Sequence, residues 1–241
     1  MTALLTARKV ALAGRLDPAD FGMDAPELTC LIGPNGSGKT SLLHALARIG
    51  GATGEVRIDG RRPEGLVPAE RRRLLSFLPA SRDVAWPLAV RDVVRLGADE
   101  EQTCQAMAAL DLDSLALRRV DRLSTGERSR VLIARALAPR SRLLLFDEPV
   151  ANLDPLWQLR LMERLRASVR DGQGAIVAMH DLDLAARYAD RLVLMNEGRI
   201  VEDGEPRAML GSDRLEQVFG ISKAGGEWRP LSPREDPRSS P

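Results

Sequence analysis

Lysine is nearly missing from this 241-residue chain: Lys9, Lys39 and Lys223 are the only three, and arginine carries the remaining positive charge. Where arginine serves, the sequence mostly uses it, so the ammonium at Lys39 marks a place that suits a compact point charge, as contact with phosphate does. Cysteine is scarce as well. Cys30 and Cys104 are the only two, whereas a disulfide framework needs more of them in a shorter chain; a reducing, cytosolic setting is expected. No run of 18 apolar residues occurs, so no membrane span is predicted. The first 20 residues lack an apolar core flanked by a cleavage signal, so no secretory leader is predicted. Neither sign of charge dominates. A formal net charge of +1 gives no bulk attraction to nucleic acid, and no nucleic-acid partner is expected.

Hydrophobic residues make up 44% of the chain, enough for a real core. Residues 4–14 and 55–59 read as strands bounded by Gly, Pro or charge. LTCLI, residues 28–32, reads as a buried strand running into GPNGSGKT, and a helix follows with Leu42, Leu43, Leu46 and Ile49 on one side. Residues 61–120 are rich in Arg, Ala and Leu, with helical periods at 68–75, 89–96 and 100–110, and read as a mostly helical insertion. Beyond it come a helix at about 125–138, a strand at 142–146, a helix at 155–170, a strand at 175–179, a helix at 182–189 and a hairpin turning at Asn196, Glu197 and Gly198. Strands alternating with helices predict an α/β fold with a largely parallel sheet covered on both faces. RPLSPREDPRSSP at the end has no periodicity and is expected to be disordered.

GPNGSGKT, residues 33–40, matches G-x-x-x-x-G-K-[ST]. Chance supplies that pattern in about 1% of chains this long. Gly33, Gly36 and Gly38 let backbone wrap a phosphate without side-chain clash, with Pro34, Asn35 and Ser37 between them. Lys39 reaches the β- and γ-phosphates, Thr40 offers a hydroxyl to Mg²⁺, and Ser41 reaches the α-phosphate. In RLLLFDEP, Asp147 and Glu148 fall just past an apolar strand, where open parallel sheets bind ligands. Asp147 is placed to hold Mg²⁺ through water, and Glu148 to polarise the attacking water. His180 ends another apolar strand and belongs at the same sheet edge, within hydrogen-bonding reach of the γ-phosphate; His44 reads as structural or solvated. Asp154 precedes Pro-Leu and makes a good helix cap. LSTGERSR, residues 123–130, opens a second helix with a small polar loop, and such helix starts attract anions.

Taken together, the set resembles the ATP-binding cassette (ABC) transporter ATPases over about residues 4–220. The Walker A loop GPNGSGKT, the signature LSTGE, the Walker B strand LLLFDEP, the D-loop ANLD and the H-loop His180 stand in that family's order. The resemblance implies a P-loop NTPase core with an N-terminal antiparallel β subdomain and a helical subdomain at about 61–138, forming one domain over 1–222, with 223–241 a disordered tail. It implies ATP hydrolysis, with ATP and Mg²⁺ bound. Two chains stack head to tail, so that Ser124 and Gly126 serve the partner's nucleotide; Asp154 of the D-loop is a further candidate for nucleotide binding. With one cassette and no membrane segment in the chain, the permease is a separate protein, the cassette sits at the inner face of the membrane through it, and a substrate-binding protein is a further expected partner. RLDP after a short N-terminal strand and LEQVFGI near the end are similar to ATPase subunits of importers for iron-siderophore, haem or cobalamin.

Some positions depart from the family pattern. FLPAS puts Ala80 where the Q-loop carries Gln, and Ala can contact neither Mg²⁺ nor water, so altered coupling to the permease is expected. Thr125 replaces a signature glycine, and Ala151 replaces a common Ser. No Tyr, Phe or Trp lies between Lys9 and Asp20 to stack on adenine, which leaves the Arg15 guanidinium as the candidate. A nucleotide-gated regulatory cassette with low turnover, an exporter ATPase and a DNA-associated cassette are the rival readings.

Overall fold

The computed structural model describes residues 2–81, 87–224 and 226–231. β1 (Leu5–Leu12) and β2 (Leu16–Met23) form an antiparallel hairpin. β3 (Leu28–Ile32) runs into the glycine loop, and α1 (Lys39–Leu46) leaves it. β4 (Thr53–Ile58) returns to β1, making an antiparallel sheet in the order β2-β1-β4. α2 (Pro68–Leu74) leads directly into β5 (Leu75–Leu78), followed by α3 (Val90–Val94), α4 (Glu100–Ala109) and α5 (Thr125–Leu137). Then β6 (Leu143–Asp147), α6 (Pro155–Arg170), β7 (Gly174–Ala178), α7 (Leu182–Tyr188) and β8 (Arg191–Asn196) alternate. β9 (Arg199–Gly204), α8 (Pro206–Leu210), α9 (Asp213–Phe219) and a hairpin of β10 (Ile221–Ala224) with β11 (Glu227–Pro230) complete the chain.

The main sheet has the order β5-β6-β7-β3-β8-β9, parallel throughout except for β9. Every residue of β3, β6 and β7 is buried. Their side chains alternate between two apolar clusters, one on each face. Cys30, Ile32, Leu144, Phe146 and Val177 enter one, and Leu31, Leu143, Leu145, Ile176 and Ala178 enter the other. Burial on both faces is why these strands read as unbroken apolar runs. The order β6-β7-β3 also brings the carboxyl ends of three neighbouring strands together, and with them Glu148, His180 and the glycine loop.

The structure differs from the sequence reading in four places. β2 was not anticipated: LDPADFGM carries Pro and two Asp, which strands disfavour, but it is an edge strand, where Pro18 costs no ladder bond. β5 interrupts the stretch read as mostly helical and joins the main sheet beside β6. Ile49 lies past the end of α1 and is 36% exposed, so it does not extend the buried face. The tail expected to lack order from residue 223 begins instead with the β10–β11 hairpin, anchored by Lys223 Nζ and Trp228 Nε1, which donate to Asp183 at 2.6 and 3.1 Å. Residues 232–241 lie outside the described residues. Among the described residues, no helix is long and apolar enough to cross a membrane.

Candidate functional site

The glycine loop occupies the space its composition predicts. A Cβ on Gly33, at φ 151°, would meet the Met195 carbonyl oxygen at 2.3 Å and Ser37 Oγ at 2.6 Å. A Cβ on Gly38, at φ 101°, would stand 3.0 Å from Gly198 Cα. Gly38 is also the cap residue of α1, which has no side-chain cap, so the first amides of that helix are available to an anion. Lys39 is buried, and its Nζ donates to the carbonyls of Gly33 at 2.7 Å and Pro34 at 3.0 Å. Burial pulls the Lys39 ammonium below its ordinary value, and the charges of Glu148 and Asp147 push it back up.

A cleft of about 480 Å³ opens over this loop. Its walls are residues 35–41, Gly14 and Arg15 from the β1–β2 turn, Leu16 and Asp17 at the start of β2, Glu148, and Glu197 and Gly198 from the β8–β9 turn. Thr40 stands exposed there, with Ser41 half-buried beside it. Asp147 is 1% exposed at the end of β6. Glu148 follows in left-handed backbone, φ 47°, while its amide still donates to the Ala178 carbonyl at 3.0 Å. Such a conformation is uncommon for a residue other than glycine and costs about 1–2 kcal/mol. His180 Nε2 and Glu148 Oε1 are 2.6 Å apart, so the histidine holds the carboxylate at the cleft. His44 lies elsewhere, edge-on to Phe77 with ring centroids 5.4 Å apart, a packing role.

The second helix start is built differently. Ser124 caps α5: its Oγ accepts from the Glu127 amide at 3.3 Å and donates to Glu127 Oε2 at 2.8 Å. The Ser124 amide closes the capping box by donating to Glu127 Oε2 at 2.8 Å. Those contacts hold the Glu127 carboxyl below the usual range, the Ser124 amide most and its hydroxyl next. Gly126 needs no glycine-specific backbone, and a Cβ there would make ordinary contact, 3.5 Å, with the Asn152 carbonyl oxygen. Asp154 caps α6, accepting from the Trp157 amide at 3.0 Å. Ser124, Gly126 and Asp154 line a separate cleft of about 150 Å³, which shares no residue with the larger one.

The structure thus places Gly36, Ser37, Gly38, Lys39, Thr40, Ser41 and Glu148 around one cleft, and Ser124, Gly126 and Asp154 around another. Arg15 lies on the wall of the first. Sequence reasoning missed Glu197, Gly198 and Asp17 as cleft residues. A hairpin turn gives no local signal that it will pack on a distant loop.

A family model described as ABC transporter matches residues 16–151. The chain is 39% identical over 216 residues to a hemin import ATP-binding protein of Nocardia farcinica, covering 85% of this chain and 75% of that protein. It is 40% identical over 225 residues to a hemin import ATP-binding protein of Streptomyces coelicolor, covering 88% and 80%. A cobalamin import ATP-binding protein of Halobacterium salinarum is 37% identical over 241 residues, covering 94% of this chain and 61% of that one. Among solved structures, the dimeric structure of a bacterial ABC transporter cassette superposes with a TM-score of 0.74 at 25% identity, over 84% of this chain and 99% of the other.

Proposed function

The chain belongs to the ABC transporter family, and on that premise we propose that it is the ATP-hydrolysing subunit of a membrane importer for a metal chelate of the siderophore, haem or cobalamin type. The relatives named for hemin and cobalamin import support the importer reading over export or a regulatory role. The observation that carries the chemistry is the pair Glu148–His180, 2.6 Å apart, with Glu148 in the wall of the cleft that holds the glycine loop. The loop amides and Lys39 take the phosphates. Glu148 draws a proton from the attacking water while His180 fixes the carboxylate in place. Arg15, on the wall of that cleft, would lay its guanidinium plane against the base.

The donor set fits Mg²⁺ brought in with the nucleotide. Among the described residues, no group of three or more His, Cys, Asp or Glu could hold a metal alone. Mg²⁺ ordinarily takes one or two protein oxygens and completes its shell with phosphate and water. Thr40 would supply such an oxygen and Asp147 would hold the ion through water, and the bound ion would neutralise charge on the phosphates.

Two such chains, stacked head to tail, would bring Ser124 and Gly126 of each against the nucleotide of the other. The Ser124 hydroxyl, held by Glu127 within one chain, would turn to a phosphate oxygen. The permease would be a separate protein, with the cassette bound to its inner face, and a substrate-binding protein would deliver cargo from outside. Glu148→Gln keeps the shape of the side chain and removes the base. Turnover should fall by about 10²–10⁴, and ATP should then drive a stable dimer, read by sedimentation. A Glu148→Gln protein that stays monomeric with ATP would count against the reading.

A further inference from the structure

We infer that Trp157 is a positioning residue for the smaller cleft: its ring, stacked with two guanidiniums, fixes the Ser124–Gly126 helix start against the Asp154 turn. Three elements meet on this side chain. Its backbone amide is the one Asp154 caps, at 3.0 Å. Arg130, from α5, stacks its guanidinium over the ring with Cζ 4.5 Å from the centroid. Arg160, one turn further along α6, stacks at 4.8 Å. Neither arginine is held by the ring alone. Arg130 Nη1 also donates to the carbonyl of Leu110 at 2.8 Å and to that of Asp111 at 3.3 Å. Arg160 Nη1 pairs with Asp111 Oδ2 at 3.0 Å. The loop after α4 is therefore tied to both helices through the two arginines that stack on Trp157.

The placement decides what this stack does. Ser124, Gly126, Arg130, Asp154 and Trp157 all line the same small cleft. Ser124 and Gly126 sit on α5, and Asp154 on the loop into α6, so their spacing depends on how α5 lies against α6. The Asp154 cap fixes one end of α6 and the Arg130 stack fixes α5 to that same end. Trp157 thus sets the distance between the two halves of the cleft. Trp157 lies outside the cleft that carries Lys39 and Glu148, so nucleotide binding by the single chain does not pass through it.

The inference rests on the proposed composite site, and its test separates the two. In full-length protein carrying Glu148→Gln, self-association with Mg-ATP is measured by sedimentation, and ATP affinity by titration at protein concentrations low enough to keep the chain monomeric. Adding Trp157→Ala should weaken the ATP-driven dimer about tenfold, equivalent to about 1.4 kcal/mol, with monomer affinity for ATP unchanged. Trp157→Phe, which keeps an aromatic face, should restore most of the loss. If Trp157→Ala does not fold, Arg160→Met keeps the aliphatic stem and removes one stacked cation, and should weaken the dimer by a smaller factor in the same direction. A Glu148→Gln protein that never dimerises sinks the composite site itself. A Trp157→Ala dimer as tight as that of Glu148→Gln alone overturns the positioning role, and so does a parallel loss of ATP affinity.

Discussion

A methyl group on Gly33 would be driven into the Met195 carbonyl oxygen, while one on Gly36, at φ 78°, would meet nothing within 4 Å. The two glycines of one motif therefore serve different ends. Gly33 is needed for space as well as backbone, Gly36 for backbone alone. Gly36→Ala should cost about 1 kcal/mol of stability, the usual penalty for a left-handed alanine. Gly33→Ala should cost more and should also abolish ATP binding, because the loop must shift away from Met195. Denaturant unfolding with an unchanged slope checks the first statement, and nucleotide titration the second. Equal costs at the two positions would refute the distinction. These residues were legible in the sequence because backbone geometry admits so few residue types there. Glu148 was legible as an acid past a strand, but not its left-handed φ of 47°, which only the turn out of β6 imposes. Glu127 gave no such signal, and it is the partner that closes the Ser124 cap.

Among elements, the β8–β9 turn does more than reverse the chain. The Gly198 amide donates to the Ser37 carbonyl at 3.0 Å, and its own carbonyl accepts from the Asp17 amide at 3.0 Å. An antiparallel edge hairpin thereby braces the glycine loop from one side and the β1–β2 hairpin from the other. A Cβ on Gly198, at φ 76°, would stand 3.0 Å from the Arg15 carbonyl oxygen. Gly198→Val should displace both contacts without touching Glu148. KM for ATP should rise about tenfold with kcat nearly constant, the mark of lost uniform binding. A fall in kcat at constant KM would place the turn in the chemical step instead. The long helices α5 and α6 were readable from their period, and β6 and β7 from their unbroken apolar runs. The edge strands β2 and β5 were not. β2 carries polar residues on its exposed positions, and the four residues of β5 are too few to show a period. The closing hairpin escaped for a related reason: what holds it is Asp183, some forty residues away in the chain.

At the scale of the whole molecule, one chain presents a cleft over the glycine loop and a second helix start whose linings have no residue in common. In the proposed twofold pairing each would serve the other copy, giving two equivalent sites, each built from the loop of one chain and the helix start of its partner. Two damaged chains can then repair one another. Lys39→Ala removes the phosphate contact of the loop. Gly126→Asp adds a carboxylate where backbone tolerates a Cβ, at 3.5 Å from the Asn152 carbonyl oxygen, and so repels a partner's phosphate without disturbing the fold. Each variant alone should be inactive, since every site in its homodimer is defective. In an equal mixture about half the dimers are mixed. In a mixed dimer both defects fall on one site, where the Lys39→Ala loop meets the Gly126→Asp helix start, and the other site is intact. Turnover should recover to about one quarter of the undamaged protein's if the sites act independently. If both functions belonged to a single chain, neither partner could supply what the other lacks, and the mixture would be as inactive as its components.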